Sequence, residues 1–362
     1  MYPLERLQRY PKAPHLQAYN SADKLLIQRW QELGGSGETT WVVNDDFGAI
    51  SLSTKAAQSS SDSWLAHRAM LNNGVNPAVL LNAERSPSGN CDIVLLKIPK
   101  QEAALKQQLQ MLCAAVTAPA TVLCAGMDKH LSPNTARWIE QVLGEVTRHP
   151  GKSKARVFEA RLIPTGEKPD DGAIFTEVPG FNKPLLTLPG NFSSGALDGG
   201  TRLILAHLQR VPTVSSACDL ACGNGVLGLA LLLQGKAQSL CFADESSLAI
   251  YSAKRNVAAF FPDQSDMAHF HWGDGLLGLQ HKYQLILCNP PFHQGHVMDA
   301  AVGKRLLRQC SSYLTANGEL WVVANAHLPY AGVLKKHFAH VDVVARNKKY
   351  QLWRARSPRV KP

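Results

Sequence analysis

The sequence has 362 residues, 45% hydrophobic and 18% charged, a soluble globular composition long enough for about two domains of roughly 150 residues each. Lys and Arg number 38 against 28 Asp and Glu, a net charge of +10 that favours a polyanionic partner such as nucleic acid. No apolar run approaches the roughly 18 to 20 residues of a membrane helix, the start Met1 to Arg6 lacks a signal-peptide layout, and eight scattered cysteines without a Cys-x-x-Cys pair argue against a disulfide scaffold or zinc ribbon. A cytoplasmic chain without metal or membrane is expected.

Short runs of Val, Leu and Ile alternate with segments of helical period, the pattern of a mostly parallel sheet flanked by helices. The first half carries a weak copy of the second. Asp62 to Asn73 lines up with Glu245 to Asn256, Cys91 to Lys100 with Tyr283 to Phe292, and Val116-Thr-Ala with Leu314-Thr-Ala, so a duplication is expected. The first copy has Asn44-Asp-Asp-Phe-Gly48 in place of a glycine-rich turn and Lys97-Ile-Pro-Lys100 in place of Asn289-Pro-Pro-Phe292, and is read as a fold that has lost its chemistry. Residues 148–190 are dense in Pro and Gly, which permits only short strands and turns. A boundary near residue 155 follows, giving domains 1–155 and 156–362. In the second half, strands are expected at 215–220, 239–243, 268–272, 283–288 and 318–324, and helices at 226–233, 248–260 and 298–313.

Asp219-Leu-Ala221-Cys-Gly223-Asn-Gly225 ends a strand in a glycine turn that opens a helix, letting the backbone pass close to a ligand. Gly223-x-Gly225-x-x-Gly228 also fits a dinucleotide fingerprint, but the carboxylate of Asp219 would repel a pyrophosphate and suits a cationic amino group. Asp244 and Glu245 follow the next strand, where ribose hydroxyls are accepted; a helix start capped by Ser246 is the plainer reading. Asp274, between two glycines, is positioned to accept from an adenine amino group or to serve a turn. In Asn289-Pro-Pro-Phe292 two prolines make a rigid exit from the sheet. There the Asn289 side-chain carbonyl and the Pro290 backbone carbonyl can accept from one planar amino group while Phe292 stacks on its ring. His293 stands where it would contact RNA or shape the pocket.

These motifs, in this order over about 75 residues, resemble the class I S-adenosylmethionine-dependent methyltransferases acting on amino groups. With Asn44 to Ala49, Leu95 to Lys100, Asn191 to Asp198, Asn289 to Gln294 and Val323 to Leu328, nearly the whole chain is similar to the bacterial ribosomal RNA guanine-N2 methyltransferases. The likeness is to the large-subunit methyltransferase G more than the small-subunit methyltransferase C. The resemblance implies two tandem Rossmann-like class I methyltransferase domains, an inactive first one assisting RNA binding or folding and a catalytic second one, in a monomer using S-adenosyl-L-methionine. It implies cofactor contacts at Asp219, Ala221, Gly223, Gly225, Asp244, Asp274 and Asn289, with Phe192 and Asp198 beside the active-site mouth. Asp198 is otherwise read as the cap of a helix starting at Gly199. Ala221 departs from the glycine usual in the family. Adenine N6, a protein glutamine amide, a nicotinamide-dependent oxidoreductase and a non-catalytic RNA-binding assembly factor are the competing readings.

The positive charge is clustered: residues 346–362 contribute +7 and residues 148–161 contribute +4, leaving the rest at −1. Phosphate contacts are expected from Lys152, Lys154, Arg156, Lys348 and Lys349, the plainer reading being a solvated tail and a basic hairpin.

Overall fold

The computed structural model describes residues 2–167, 169–191, 195–263, 265–291 and 297–359, without the side chains of 265 and 297–300. Phe192, Phe292 and His293 lie outside the described residues. The chain divides into two compact units, Met1–Gly172 and Ala173–Pro362.

The first unit runs α1 (Ser21–Glu32), β1 (Thr40–Val43), α2 (Ala49–Thr54), β2 (Gln58–Ser60), α3 (Trp64–Asn72), β3 (Leu80–Leu81), β4 (Ile93–Lys97), α4 (Glu102–Ala115), β5 (Ala120–Met127), α5 (Thr135–Leu143), β6 (Thr147–Arg148) and β7 (Ala155–Leu162). One sheet results, ordered β3-β2-β1-β4-β5-β7-β6. Its first five strands are parallel, and β7 runs antiparallel to β5 and β6. Trp41, Val42, Val94, Leu95 and Leu96 are buried, as expected of parallel strands covered on both faces. The boundary expected near residue 155 moves to 172. The reason is β7, which pairs with β5 from Met127 opposite Ala155 to Ala120 opposite Leu162, so the strand after the Pro150-Gly turn completes the first sheet.

The second unit opens with a hairpin of β8 (Ile174–Thr176) and β9 (Leu185–Thr187). It continues with α6 (Gly199–Leu205), β10 (Val214–Leu220), α7 (Val226–Leu233), β11 (Ala237–Asp244), α8 (Ser247–Phe260), β12 (Ala268–Trp272), β13 (Tyr283–Cys288), α9 (Val297–Tyr313), β14 (Leu314–Asn325), α10 (Tyr330–His337), β15 (Phe338–Arg346) and β16 (Tyr350–Pro358). The sheet order is β12-β11-β10-β13-β14-β16-β15, the same winding as in the first unit. The fold is therefore two Rossmann-like domains in tandem. The basic segment after residue 346 is not a tail: β16 lies between β14 and β15, with Leu352, Trp353 and Ala355 buried. Its outward arginines are partnered, Arg354 Nε donating to Glu319 Oε2 at 2.9 Å and Arg356 pairing with Asp342 at 2.9 Å.

Register makes the duplication explicit. Val43 pairs with Leu96 as Leu220 pairs with Cys288, so Lys97 occupies the position of Asn289, and Val42 that of Asp219. The turns that follow have equal length and left-handed residues at the same two ends, Asn44 (φ 64) and Gly48 (φ 90) against Ala221 (φ 58) and Gly225 (φ 85); only the second unit adds a third, Gly223 (φ 55), where the first has Asp46. In the first unit the Asp45 carboxylate folds over the start of α2, accepting from the N–H groups of Gly48 (2.9 Å), Ile50 (3.1 Å) and Ser51 (2.9 Å). A protein carboxylate therefore occupies that helix terminus.

Candidate active site at the carboxyl edge of the second sheet

The second sheet reverses its strand order between β10 and β13, and in open α/β sheets ligands bind outside the carboxyl ends at such a point. Asp219, Asp244 and Asn289 all stand at that edge, at or just beyond the ends of β10, β11 and β13. Asp219 is buried. Its Oδ2 accepts from the Gly228 N–H at 2.8 Å, whereas Oδ1 has no hydrogen-bond partner among the described residues. Burial pushes this carboxyl up from 3.8 to about 8; the Gly228 bond opposes the rise and Asp244 adds to it. The folded form thus keeps a proton that the unfolded chain loses near 3.8, and the stability this confers is lost as pH rises through about 8. We expect the thermal midpoint of the ligand-free second unit to fall across that window and Asp219→Asn to flatten the fall. An equal slope in the variant would sink this account.

Ala221 holds φ 58, a left-handed conformation that costs an L-residue about 1–2 kcal/mol, which is why glycine suits the position. At Gly223 a Cβ would meet nothing within 4 Å, so the turn is open on that side. The Gly223 N–H donates to Asp244 Oδ2 at 2.9 Å, and Asp244 Oδ1 accepts from the Ser246 N–H at 3.0 Å. Ser246 does cap α8, accepting from the Ala249 N–H at 3.1 Å, so Asp244 orders the glycine turn and the helix start together. Asp274 is buried, with Oδ1 ion-paired to Arg305 on α9; the carboxylate expected to meet adenine already has a cationic partner.

Asn289 is held from one side. Its Nδ2 donates to Asp198 Oδ2 at 2.7 Å and to Thr201 Oγ1 at 2.9 Å, while Oδ1 is buried and has no partner among the described residues. Asp198 is the N-cap of α6, accepting from the N–H groups of Gly200 (2.7 Å) and Thr201 (3.1 Å) and from the Thr201 hydroxyl. The helix-cap reading of Asp198 holds, and the same carboxylate also reaches Asn289. Pro290 is buried directly after it. Asn325, at the end of the neighbouring β14, has another buried side-chain oxygen without a partner among the described residues. Thr201 and Asn325 were not among the residues expected from the motifs. An Asp followed three residues later by Thr signals a capped helix start, but spacing alone does not reveal a partner 91 residues away.

A groove of about 490 Å³ lies on the other side of α6, lined by Gly199, Arg202, Leu203 and Ala206 of the helix segment and by Asn347 to Tyr350 in the β15–β16 turn. Lys348 and Lys349 are exposed there, with Lys349 Nζ 5.2 Å from the Tyr350 ring centroid. In the first unit Lys152 and Lys154 are exposed in the turn before β7, whereas Arg156 pairs with Asp128 at 2.8 Å and Arg148 with Glu140 at 2.8 Å. The basic clusters therefore hold fewer uncommitted cations than their sequence suggests.

Residues 4–164 match the RLMG N-terminal domain and residues 182–354 the Methyltransferase small domain. The ribosomal RNA large subunit methyltransferase G of Alcanivorax borkumensis is 37% identical, over 97% of this chain and 95% of its own. The protein of the same name from Pseudomonas aeruginosa is 35% identical, over 94% and 93%. A T. thermophilus 16S rRNA N2 methyltransferase, solved in complex with AdoMet and guanosine, shares the fold with a TM-score of 0.77 at 20% identity, over 93% of this chain and 92% of its own. Among the described residues no helix is long and apolar enough to cross a membrane. Identity at this level along nearly the whole of both sequences means that the chain belongs to the ribosomal RNA large subunit methyltransferase G family.

Proposed function

We propose that the second unit transfers a methyl group from S-adenosyl-L-methionine to the exocyclic N2 amino group of a guanine in large-subunit ribosomal RNA. The observation that carries this reading is the Asn289 side chain, whose NH₂ is occupied and whose buried Oδ1 is left to accept a hydrogen. The residues present also fit the cofactor: the unpartnered Oδ1 of Asp219 suits its ammonium, the open face of Gly223 accommodates its approach, and Asp244 is the carboxylate for its ribose. We carry Asp274 as the adenine-side carboxylate, its charge balanced by Arg305. The cofactor supplies a methyl carried on a sulfonium.

The chain's own residues do the rest. Guanine N2 is a poor nucleophile because its lone pair is delocalised into the ring. Acceptors at Asn289 Oδ1 and the Pro290 carbonyl hold its two hydrogens and restore lone-pair character, with Phe292, Phe192 and His293 as the further residues proposed to receive the substrate. Orientation of the amine toward the methyl contributes much of the rate, and no strong general base is called for. To test the reading, ribosomal RNA from a strain lacking the gene is incubated with the protein and tritiated cofactor, then digested to nucleosides. Label in N2-methylguanosine supports it. Label in N6-methyladenosine, in a protein glutamine or nowhere overturns it.

Lys348 and Lys349, with Lys152 and Lys154 in the first unit, are the proposed phosphate contacts, while the ion-paired Arg156 is expected to contribute less. Each lost phosphate contact lowers the slope of log affinity against log salt by about 0.7 to 0.9. We expect Lys348→Gln with Lys349→Gln to weaken RNA binding and flatten that slope while cofactor affinity stays unchanged. An unaltered slope would count against the groove.

A further inference from the structure

We propose that Asp198 and Thr201 are positioning residues that fix and polarise the Asn289 carboxamide, presenting Oδ1 to the acceptor amine in one preset orientation. The proposal rests on the methyl-transfer reading for the identity of that amine, though the hydrogen-bond geometry stands apart from it. A terminal amide turns over easily, exchanging its oxygen and nitrogen. Here the flipped form would set Oδ1 2.7 Å from the Asp198 carboxylate, two acceptors with no proton between them. The Thr201 hydroxyl donates to Asp198 and accepts from Asn289 Nδ2, so the three side chains close a ring that admits one amide orientation. The acceptor of the Nδ2 bond is a carboxylate oxygen, and a bond of that kind draws electron density toward Oδ1, strengthening it as an acceptor. Gly200 completes the arrangement: a Cβ there would stand 3.1 Å from Asn289 Oδ1 and 3.2 Å from Val323 Cγ1, crowding that buried oxygen.

The first unit supplies an internal comparison. Asn20 caps α1 as Asp198 caps α6, accepting from the Ala22 and Asp23 N–H groups. Asp23 thus occupies the position of Thr201, and it pairs at 3.0 Å with Lys97, which occupies the position of Asn289. The contact between helix start and strand end belongs to the shared fold. In the first unit it neutralises a cation, whereas in the second it restrains an amide whose buried oxygen has no partner among the described residues.

The test is a double-mutant cycle in the full-length protein. Asp198→Asn retains an oxygen to cap α6 but removes the charge, and should lower kcat by about tenfold while KM for RNA, cofactor affinity and thermal midpoint hold. Combined with Asn289→Ala it should cost nothing further, because its effect runs through that amide. Thr201→Val should behave alike, and Thr201→Ser should restore activity. A wild-type kcat in Asp198→Asn, or losses that multiply in the double variant, would overturn the proposal. A second readout is independent of turnover: the Asn289 side-chain NH₂ signal, identified by its disappearance in Asn289→Ala, should exchange slowly with solvent and become fast in Asp198→Ala. A fast wild-type signal would also overturn it. Failure of the guanine reading shows instead in the product of the unmodified protein, and the cycle is then scored on that product.

Discussion

Asn289→Ala is expected to lower kcat by about 10²–10³-fold, the scale lost when one preorganised hydrogen-bonding group is removed from an active site. Cofactor binding, proposed to rest mainly on Asp219, Asp244 and the glycine turn, should largely survive, as titration of the variant with cofactor would reveal. Residual turnover comes from holding the reactants together, which needs no acceptor at position 289. Asn289→Asp sharpens the prediction. It sets a second carboxyl where Nδ2 now lies 2.7 Å from Asp198 Oδ2, and two carboxylates that close cannot both ionise. The pair should share a proton, and the small activity of this variant should rise as pH falls. A variant Asn289→Ala with full kcat on ribosomal RNA would remove the basis of the proposed chemistry.

The second large effect lies in the first unit, at the position equivalent to Asn289. Lys97→Ala should destabilise that unit by about 3 kcal/mol near pH 8, because it leaves the buried Asp23 without its cation. Burial pushes the Asp23 carboxyl up to about 6 even beside Lys97. Burial also opposes the charge on Lys97, yet Asp46, Asp23 and Asp45 together hold its ammonium above its ordinary range. Below pH 6 Asp23 is increasingly protonated, so the penalty for removing Lys97 should shrink as pH falls. Hydrogen exchange of β4 and α1 amides in the intact protein measures it, with β10 and β13 amides as the internal reference. A pH-independent loss would mean that packing of the lysine stem, rather than its charge, is what matters.

Much of the second sheet was legible because parallel strands buried on both faces read as continuous apolar runs. Tyr283–Cys288 falls where such a run predicts it, and α7 is a Leu-rich segment bounded by Gly225; Ala268–Trp272 also falls where expected, but as a partly buried edge strand in which His269 and His271 alternate with the apolar residues. β16 was illegible for a physical reason: its arginines alternate with Leu352, Trp353 and Ala355, and only the positions of Glu319 and Asp342 explain how such a strand sits beside its neighbours. The glycine turn, Asp219 and Asn289 were readable as local motifs. The link from Asn289 to Asp198 and Thr201 was not, since it depends on where the start of α6 meets the end of β13. Nor was the domain limit, because Pro and Gly mark turns without saying to which sheet the next strand belongs.

The order of β15 and β16 bears on how the protein is made. β15 leaves the ribosome before β16, yet it joins the sheet only through β16, and the same is true of β6 and β7 in the first unit. During synthesis at about 5–20 residues per second each penultimate strand waits without a sheet partner. The short turn from Asn347 to Lys349 lets β15 and β16 first zip as a local hairpin, which then docks against β14 as one piece. Since that turn also forms one wall of the basic groove, the groove comes into being only with this late docking step. The surface proposed to grip RNA therefore depends on the last strand of the second sheet, whereas the glycine turn is built from its first.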